Sequence, residues 1–447
     1  MDIRLKKGTS TVTTVRAISS KSYVHRLLIA SALSRDPVCI GTNILSMDME
    51  ATVRSLNALG AHISIENRDD GGAVLCVNRP LQRVENAVID CGESGSTARF
   101  ILPLAAYFAD RAVLTGTGKL PQRPMGPLCD VLRAAGSRVE NDFLPVTTEG
   151  RPCAGDYEIA GNVSSQFITG LMFLLPLLDG PSSLKITGDL ESAAYVEMTK
   201  DVLGRFSVDY DREGNIYRTN RQEYAFESHR GAAEVIDAEG DWSNAAYVMA
   251  IIALMPENFP DGATIEGLDP NSIQGDRAFA DILGRFGVKV SIRDDGKGLC
   301  GYTVKGRPES AVTADCTQIP DLVPALSVLA AYADGDSVFE NVGRLRIKEC
   351  DRVEAVKDML GAVSVKVDII SHNDREDMIV HGRGKAGFCK KEIEINSFND
   401  HRIAMAATAL AAAEDAFVVI RGAQAVRKSY PGFYETVGKL GIDAKYL

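Results

Sequence analysis

The sequence predicts an α/β protein of two similar domains, each made of three related units. Three observations predict it. Two interleaved series of segments recur with one period, each period runs helix, strand, helix, strand or two, and a length of 447 residues suits two or three domains.

The first series joins a polar head to an apolar, Ala- and Leu-rich tail. Its members are "SSKSYVHRLLIASALS" from 19, "SGSTARFILPLAAYFAD" from 94, "SSQFITGLMFLLPLLD" from 164, "DWSNAAYVMAIIALM" from 241, "IPDLVPALSVLAAYAD" from 319 and "FNDHRIAMAATALAAAED" from 398. Successive starts lie about 70 to 79 residues apart. Each tail is apolar nearly all round, which predicts a buried helix. Each head carries the backbone N–H groups that a first helical turn leaves unpaired. Six such helices lying roughly parallel in two domains would converge their N-termini on common faces, positive from dipoles and free N–H groups.

The second series starts near a glycine at 41, 116, 188, 267, 343 and 422, and ends in a helix closed by Leu and Gly. In most copies the helix is expected to stop at that Gly, which accepts the left-handed cap conformation. Alternating residues follow, most plainly "HISIEN" and "VKVSIRD", as in half-buried strands.

Composition narrows the function. Hydrophobic residues make up 45% and charged residues 24%, so large cores are available without metals or disulfides. The net charge of -11 argues against a nucleic-acid-coating protein but leaves room for a local basic pocket that takes an acidic small substrate. The longest apolar run, Phe167 to Leu178, is too short for a bilayer and contains Pro176. The stretch from Ser19 outlines a signal peptide, but Asp2 and the β-like "TSTVTTVRAI" before it do not suit one. Nine scattered cysteines without a C-x-x-C pair read as reduced thiols in a cytoplasmic protein. Six histidines without ligand spacing predict no metal site.

The helix heads gather the chemistry. Lys21 and Arg26 oppose the dipole of their own helix, which an anionic ligand would justify. "CGESGSTARF" places two glycines before a helix, where backbone N–H groups can approach a phosphate or carboxylate, although no P-loop spacing is present. "VSSQF" puts Ser164, Ser165 and Gln166 at a helix start, as caps or as ligands of a hydroxylated or phosphorylated molecule. Asp321 heads another apolar helix. "RLRIKECDR", "NDHR" and "VRKSYP" collect Arg344, Arg346, Lys348, Glu349, Asp351, Arg352, Asp400, His401, Arg402, Arg427 and Lys428. A carboxylate among so many cations stays ionised and can serve as a base.

These motifs in this order resemble EPSP synthase (3-phosphoshikimate 1-carboxyvinyltransferase) over essentially the whole chain. The residues that carry the resemblance are "SKSYVHR", "GESGSTAR", "QRPM", "VSSQF", "ESAAY", "EGDWSNAAY", "IPDLVPAL", "RIKECDR", "NDHRIAM" and "RKSYPGF". The resemblance implies two domains of three βαβαββ repeats each, an inside-out α/β barrel. One spans 19–239 and binds mainly the shikimate phosphate side. The other joins 1–18 to 240–447 and carries Asp321, Glu349 and the Arg clamps. Hinges would lie near 19 and 239, with the active site in the cleft.

The reaction implied is transfer of the enolpyruvyl group of phosphoenolpyruvate to the 5-hydroxyl of shikimate 3-phosphate, without a cofactor, in a monomer that engages neither membrane nor nucleic acid. By resemblance Ser164, Ser165 and Ser192 hold the shikimate phosphate, Ser22 and Arg26 its carboxylate, and Gln166 and Tyr195 line the ring. Lys21, Gly95, Arg123 and Lys428 hold the phosphate of phosphoenolpyruvate, with Gln166 beside it, and Arg352 and Arg402 clamp its carboxylate; Lys21 also touches shikimate 3-phosphate and counts with Asp321, Lys348 and Glu349 as catalytic. Asp321 takes the hydroxyl proton with help from Lys348, and Glu349 gives and removes the methylene proton.

The sequence departs from the family in four places. "AISSKS" lacks a Pro-Gly before Ser-Lys-Ser, His25 replaces the commoner Asn, Glu93 stands for Asn beside the anion site, and Arg344 occupies a position where some members use Asn. Glu93 either weakens phosphoenolpyruvate binding or points away. The rivals are the sister transferase acting on UDP-N-acetylglucosamine and a non-catalytic anion-binding relative. The first relies on a loop cysteine, whereas Cys129 falls inside a predicted helix. The second would have no need to keep Asp321, Lys348, Glu349 and both Arg clamps.

Overall fold

The computed structural model describes residues 1–447 except 70, 227–234, 295–297, 373–374 and 385–390. Twelve α-helices are found among the described residues: α1 Lys21–Leu33, α2 Met47–Ala58, α3 Gly95–Phe108, α4 Gly126–Ala134, α5 Ser165–Leu174, α6 Ala193–Arg205, α7 Trp242–Leu254, α8 Ala278–Arg285, α9 Val323–Ala331, α10 Arg352–Gly361, α11 His401–Ala413 and α12 Phe433–Lys439. None of the helices there is long and apolar enough to cross a membrane.

Among the described residues the strands form six four-stranded sheets of one topology. In the sheet around α3 and α4, Val84–Asp90 runs parallel to Ala109–Thr115, which is antiparallel to Val146–Glu149, which is antiparallel to Arg138–Glu140. Read along the chain, that is strand, helix, strand, helix, strand, strand. The parallel first pair needs its crossover helix, and the antiparallel last pair needs only a turn.

The chain falls into two compact units, Ser19–Ala238 and Met1–Ile18 with Glu239–Leu447. Each holds three of these sheets. At both passages between the units the last strand pairs within its own unit. Thr14–Arg16 leads into α1 but pairs with Ala263–Leu268, beyond α7. Val235–Asp237 leads into α7 but pairs with Cys39–Thr42, beyond α1. The N-terminal strand Ile3–Lys7 closes the last sheet of the C-terminal unit, between Phe417–Arg421 and Ile442–Tyr446.

The apolar tails behave as their composition dictates. Every residue of α7 and α9 is buried, and α11 is buried from His401 to Ala412. These three helices pack on one another inside the C-terminal unit. In the N-terminal unit α3 packs on α5, and α5 on α6, which also meets α1. Each buried Leu, Ile or Phe in such a core contributes about 1.5–3 kcal/mol relative to exposure.

The second helices close on a left-handed residue, but it is not always the Gly after Leu. Gly60, Gly136, Gly287 and Gly441 take the position in four copies, with φ from 87° to 100°; in the other two it falls to Ser207 and Ser364, with φ of 58° and 59°. Gly204, Gly284 and Gly361, which follow Leu in those copies and in the α8 copy, lie inside their helices. The same pair of backbone bonds closes the copy with Gly (Val288 N–H to Leu283, Gly287 N–H to Gly284) and the copy with Ser (Val208 N–H to Leu203, Ser207 N–H to Gly204).

One expectation is corrected. Cys39 and Cys76 face each other across an antiparallel ladder and are joined by a disulfide, with Cα atoms 4.1 Å apart. They are 37 residues apart in sequence, and only the strand register brings them together. Cys91, Cys129, Cys153, Cys316 and Cys350 are free thiols, and Cys389 lies outside the described residues.

Candidate active site

Three helix heads of the C-terminal unit build one charged cluster. A 3-10 turn, Pro320–Leu322, leads into α9 and presents Asp321. Asp351 caps α10 and is followed at once by Arg352. Asp400 caps α11, its Oδ1 accepting the Arg402 N–H at 2.8 Å. The turn before it is strained: Phe398 and Asn399 have φ of 52° and 58°. Such a conformation costs a bulky L-residue about 1–2 kcal/mol and persists where the surroundings fix it. Here Lys428 Nζ donates to the Asn399 carbonyl at 2.6 Å.

Arg352 is the centre, with its side chain 1% exposed. Its Nε donates to Asp400 Oδ2 at 2.7 Å, Nη1 to Asp321 Oδ1 at 2.6 Å, and Nη2 to Glu349 Oε2 at 2.7 Å and Asp400 Oδ1 at 3.4 Å. Lys348 Nζ lies 3.5 Å from Asp321 Oδ1, and Arg402 Nη2 lies 3.4 Å from Asp321 Oδ2. The Tyr247 hydroxyl donates to the Asp321 carbonyl at 3.1 Å.

Burial opposes ionisation of Asp321, yet Arg402, Lys348 and Arg352 outweigh it and hold the carboxyl well below the usual carboxylate range. Burial also brings the Lys348 amine down to about 8, against the attraction of Asp321. Asp276 moves the other way: burial, with the Asp321 charge added, raises it to about 6. Asp276 did not stand out in the sequence; the only signal there is an acidic residue after Gly in "QGDR". Arg346, part of the same basic run, is a structural residue instead, bound by Nε and Nη2 to both oxygens of Glu376.

The N-terminal unit carries the other candidates. Lys21 opens α1 and pairs with Asp48 of α2 at 2.7 Å, a partner that sequence reasoning missed. Arg26, on the same helix, is 2% exposed and turned into the protein. It donates to Thr199 Oγ1, the Ser22 carbonyl, Thr169 Oγ1 and the Tyr195 carbonyl. Four of its five N–H groups are thereby used within the unit, which leaves little of it for a ligand carboxylate.

Ser164 caps α5 by accepting the Gln166 N–H at 3.3 Å. The Gln166 amide is fixed at both ends, by Arg99 Nη1 at 2.5 Å and by Ser96 Oγ at 2.9 Å. Ser165 is buried beside it. Ser192 caps α6 in the left-handed conformation, φ 55°, and is 2% exposed. A Cβ on Gly95 would come within 2.5 Å of Arg123 Nη1, so the bare glycine lets that guanidinium lie against the head of α3. Glu93 packs its carboxylate against the backbone at Gly118. His25 is buried, with Nδ1 2.6 Å from Thr52 Oγ1.

The sequence candidates thus fall into two sets. Asp321, Lys348, Glu349, Arg352 and Arg402 form one connected cluster in the C-terminal unit, which Lys428 reaches through Asn399. Lys21, Ser22, Arg26, Gly95, Arg123, Ser164, Ser165, Gln166, Ser192 and Tyr195 belong to the N-terminal unit.

Residues 5–437 match the family model described as EPSP synthase (3-phosphoshikimate 1-carboxyvinyltransferase). A 3-phosphoshikimate 1-carboxyvinyltransferase of Clostridium kluyveri is 38% identical over 434 residues, 96% of this chain and 94% of that protein. One of Methanothrix thermoacetophila is 36% identical over 438 residues, 97% and 96% of the two. Among solved structures, EPSP synthase from Acinetobacter baumannii shares the fold with a TM-score of 0.75 at 22% identity, covering 100% of both chains. The enolpyruvyl transferase NikO from Streptomyces tendae does so with a TM-score of 0.74 at 15% identity, covering 100% and 99%. With its repeat topology, its charged helix heads and its relatives in agreement from end to end, the chain belongs to the EPSP synthase (3-phosphoshikimate 1-carboxyvinyltransferase) family.

Proposed function

We propose that this chain transfers the enolpyruvyl group of phosphoenolpyruvate to the 5-hydroxyl of shikimate 3-phosphate, releasing phosphate. The observation that carries the reading is the cluster of Asp321, Lys348, Glu349, Arg352 and Arg402 in a chain whose relatives bear that activity in their names from end to end. Arg352 and Arg402 clamp the carboxylate of phosphoenolpyruvate, and Lys21, Gly95, Gln166, Arg123 and Lys428 serve its phosphate. Ser164, Ser165 and Ser192 hold the shikimate phosphate, Ser22 and Arg26 its carboxylate, and Gln166 and Tyr195 the ring, with Arg26 acting mainly by fixing the Tyr195 backbone.

Asp321 takes the hydroxyl proton as the oxygen adds to the central carbon of phosphoenolpyruvate, while Glu349 protonates the methylene carbon. Glu349 then removes a proton from that methyl group as phosphate leaves the tetrahedral intermediate. The two units close on the first substrate about hinges near 19 and 239, and the enzyme works as a cytoplasmic monomer without a cofactor. Transfer to UDP-N-acetylglucosamine finds no support in Cys129, which is buried in α4 with its thiol pushed up to about 12 by burial.

The test is phosphate release from the two substrates together, repeated with UDP-N-acetylglucosamine as acceptor. Activity is expected only with shikimate 3-phosphate, and Asp321→Ala and Glu349→Ala are each expected to lose about 10²–10⁴-fold. Full turnover by either variant, or release only with the nucleotide sugar, would sink the reading.

A further inference from the structure

Arg352 has five N–H groups, and four already donate to three carboxylates. A two-pronged hold on a further carboxylate therefore requires that protein partners let go. The three are not equivalent. Asp400 is 0% exposed, sits on the Nε side and also accepts the Arg402 N–H, so it is tied to the start of α11. Asp321 and Glu349 hold the Nη ends, and their side chains are 16% and 24% exposed. An anion arriving from water meets those two and cannot reach Asp400. Arg402 repeats the pattern, with its Nη2 directed at Asp321 Oδ2.

We propose that the carboxylate of phosphoenolpyruvate binds by partner exchange, taking the Nη ends of Arg352 and Arg402 from Asp321 and Glu349 while Asp400 keeps its hold. This rests on the function proposed above. The exchange has a catalytic consequence. In the free protein Asp321 is a poor base, because two guanidinium groups and Lys348 stabilise its charge. Once the ligand takes over both guanidinium groups, Asp321 keeps Lys348 and gains basicity. Glu349 is freed in the same step to turn to the methylene carbon. Both proton-transfer groups are thus armed by the substrate they act on, and Asp400 is a positioning residue that keeps Arg352 in place through the exchange.

Titration calorimetry with phosphoenolpyruvate alone, on the full chain at one ionic strength, separates the roles by sign. Asp321→Asn and Glu349→Gln remove competitors and are each expected to tighten binding about tenfold, roughly one charge-assisted bond no longer broken. Asp400→Asn removes the anchor and is expected to weaken it about tenfold. Unchanged or weaker binding in the first two overturns the proposal. So does equal tightening in all three, which is the signature of bulk charge alone. Should Asp400→Asn fail to fold, Asp351→Asn takes its place as the charge control, since Asp351 pairs with Arg346 and not with Arg352; tightening there equal to that of the first two variants overturns the proposal. If wild-type protein releases no phosphate from the two substrates, the proposed function falls; if it does and the signs are wrong, the exchange alone falls.

Discussion

Replacing Lys348 with Met is expected to make the protein more stable and inactive. The Lys348 side chain is 20% exposed, and burial lowers its pKa from 10.5 to about 8. At about 1.4 kcal/mol for each tenfold change, the folded state bears about 3 kcal/mol against the charged amine. The sign follows from proton counting. Between about pH 8 and 10.5 the unfolded chain holds a proton that the folded chain has lost, so wild-type stability rises with pH through that window. Met carries no charge at any pH. Its advantage is therefore expected to be about 3 kcal/mol at pH 7 and to vanish above about pH 10.5. Urea unfolding followed by tryptophan fluorescence suits the test. The single tryptophan, Trp242, is buried in α7 and reports on the unit that contains Lys348. A variant less stable than wild type at pH 7, or an advantage equal at both pH values, would refute the reasoning. The same group is expected to shape activity: the protonated amine pairs with Asp321, so turnover should fall as pH rises through about 8.

Other outcomes follow from local geometry. Ser207→Gly and Ser364→Gly relieve left-handed serines at helix ends and are expected to stabilise by about 1 kcal/mol each, read as a shift of the urea midpoint. Gly95→Ala drives a Cβ into Arg123 and is expected to raise KM for phosphoenolpyruvate about tenfold while leaving shikimate 3-phosphate binding near wild type; an unchanged KM would remove Arg123 from the site. Reduction of Cys39–Cys76 should add two thiols to the titration of the unfolded protein and cost up to about 4 kcal/mol for a loop of this length.

Much of the fold was legible in the sequence because it repeats. A tail such as Trp242–Leu254, apolar on all sides, has no stable place except inside. The βαβαββ order came from the resemblance, since short strands such as Thr14–Arg16 carry too little pattern to be read alone. The left-handed stop of the second helices was misplaced in three copies, because a Schellman closure is set by backbone bonds, and Ser207 satisfies them as Gly287 does. The charged residues of "RIKECDR" and "NDHR" were recognisable as a site, but not which cation is free. Arg346 is committed to Glu376, and Arg352 to three carboxylates drawn from three helix heads.

The sequence by itself determined the number of units, the burial of their first helices and the identity of the charged groups at the heads, since these depend on composition and on a period counted along the chain. Tertiary structure alone decided the pairings: Cys39 with Cys76, Lys21 with Asp48, Arg26 with Thr169, Thr199 and the Tyr195 carbonyl, Arg352 with Asp400. The reason is physical. A charge or a thiol acts over a few ångströms, and residues tens of positions apart reach that range only when strand register and helix packing bring them there.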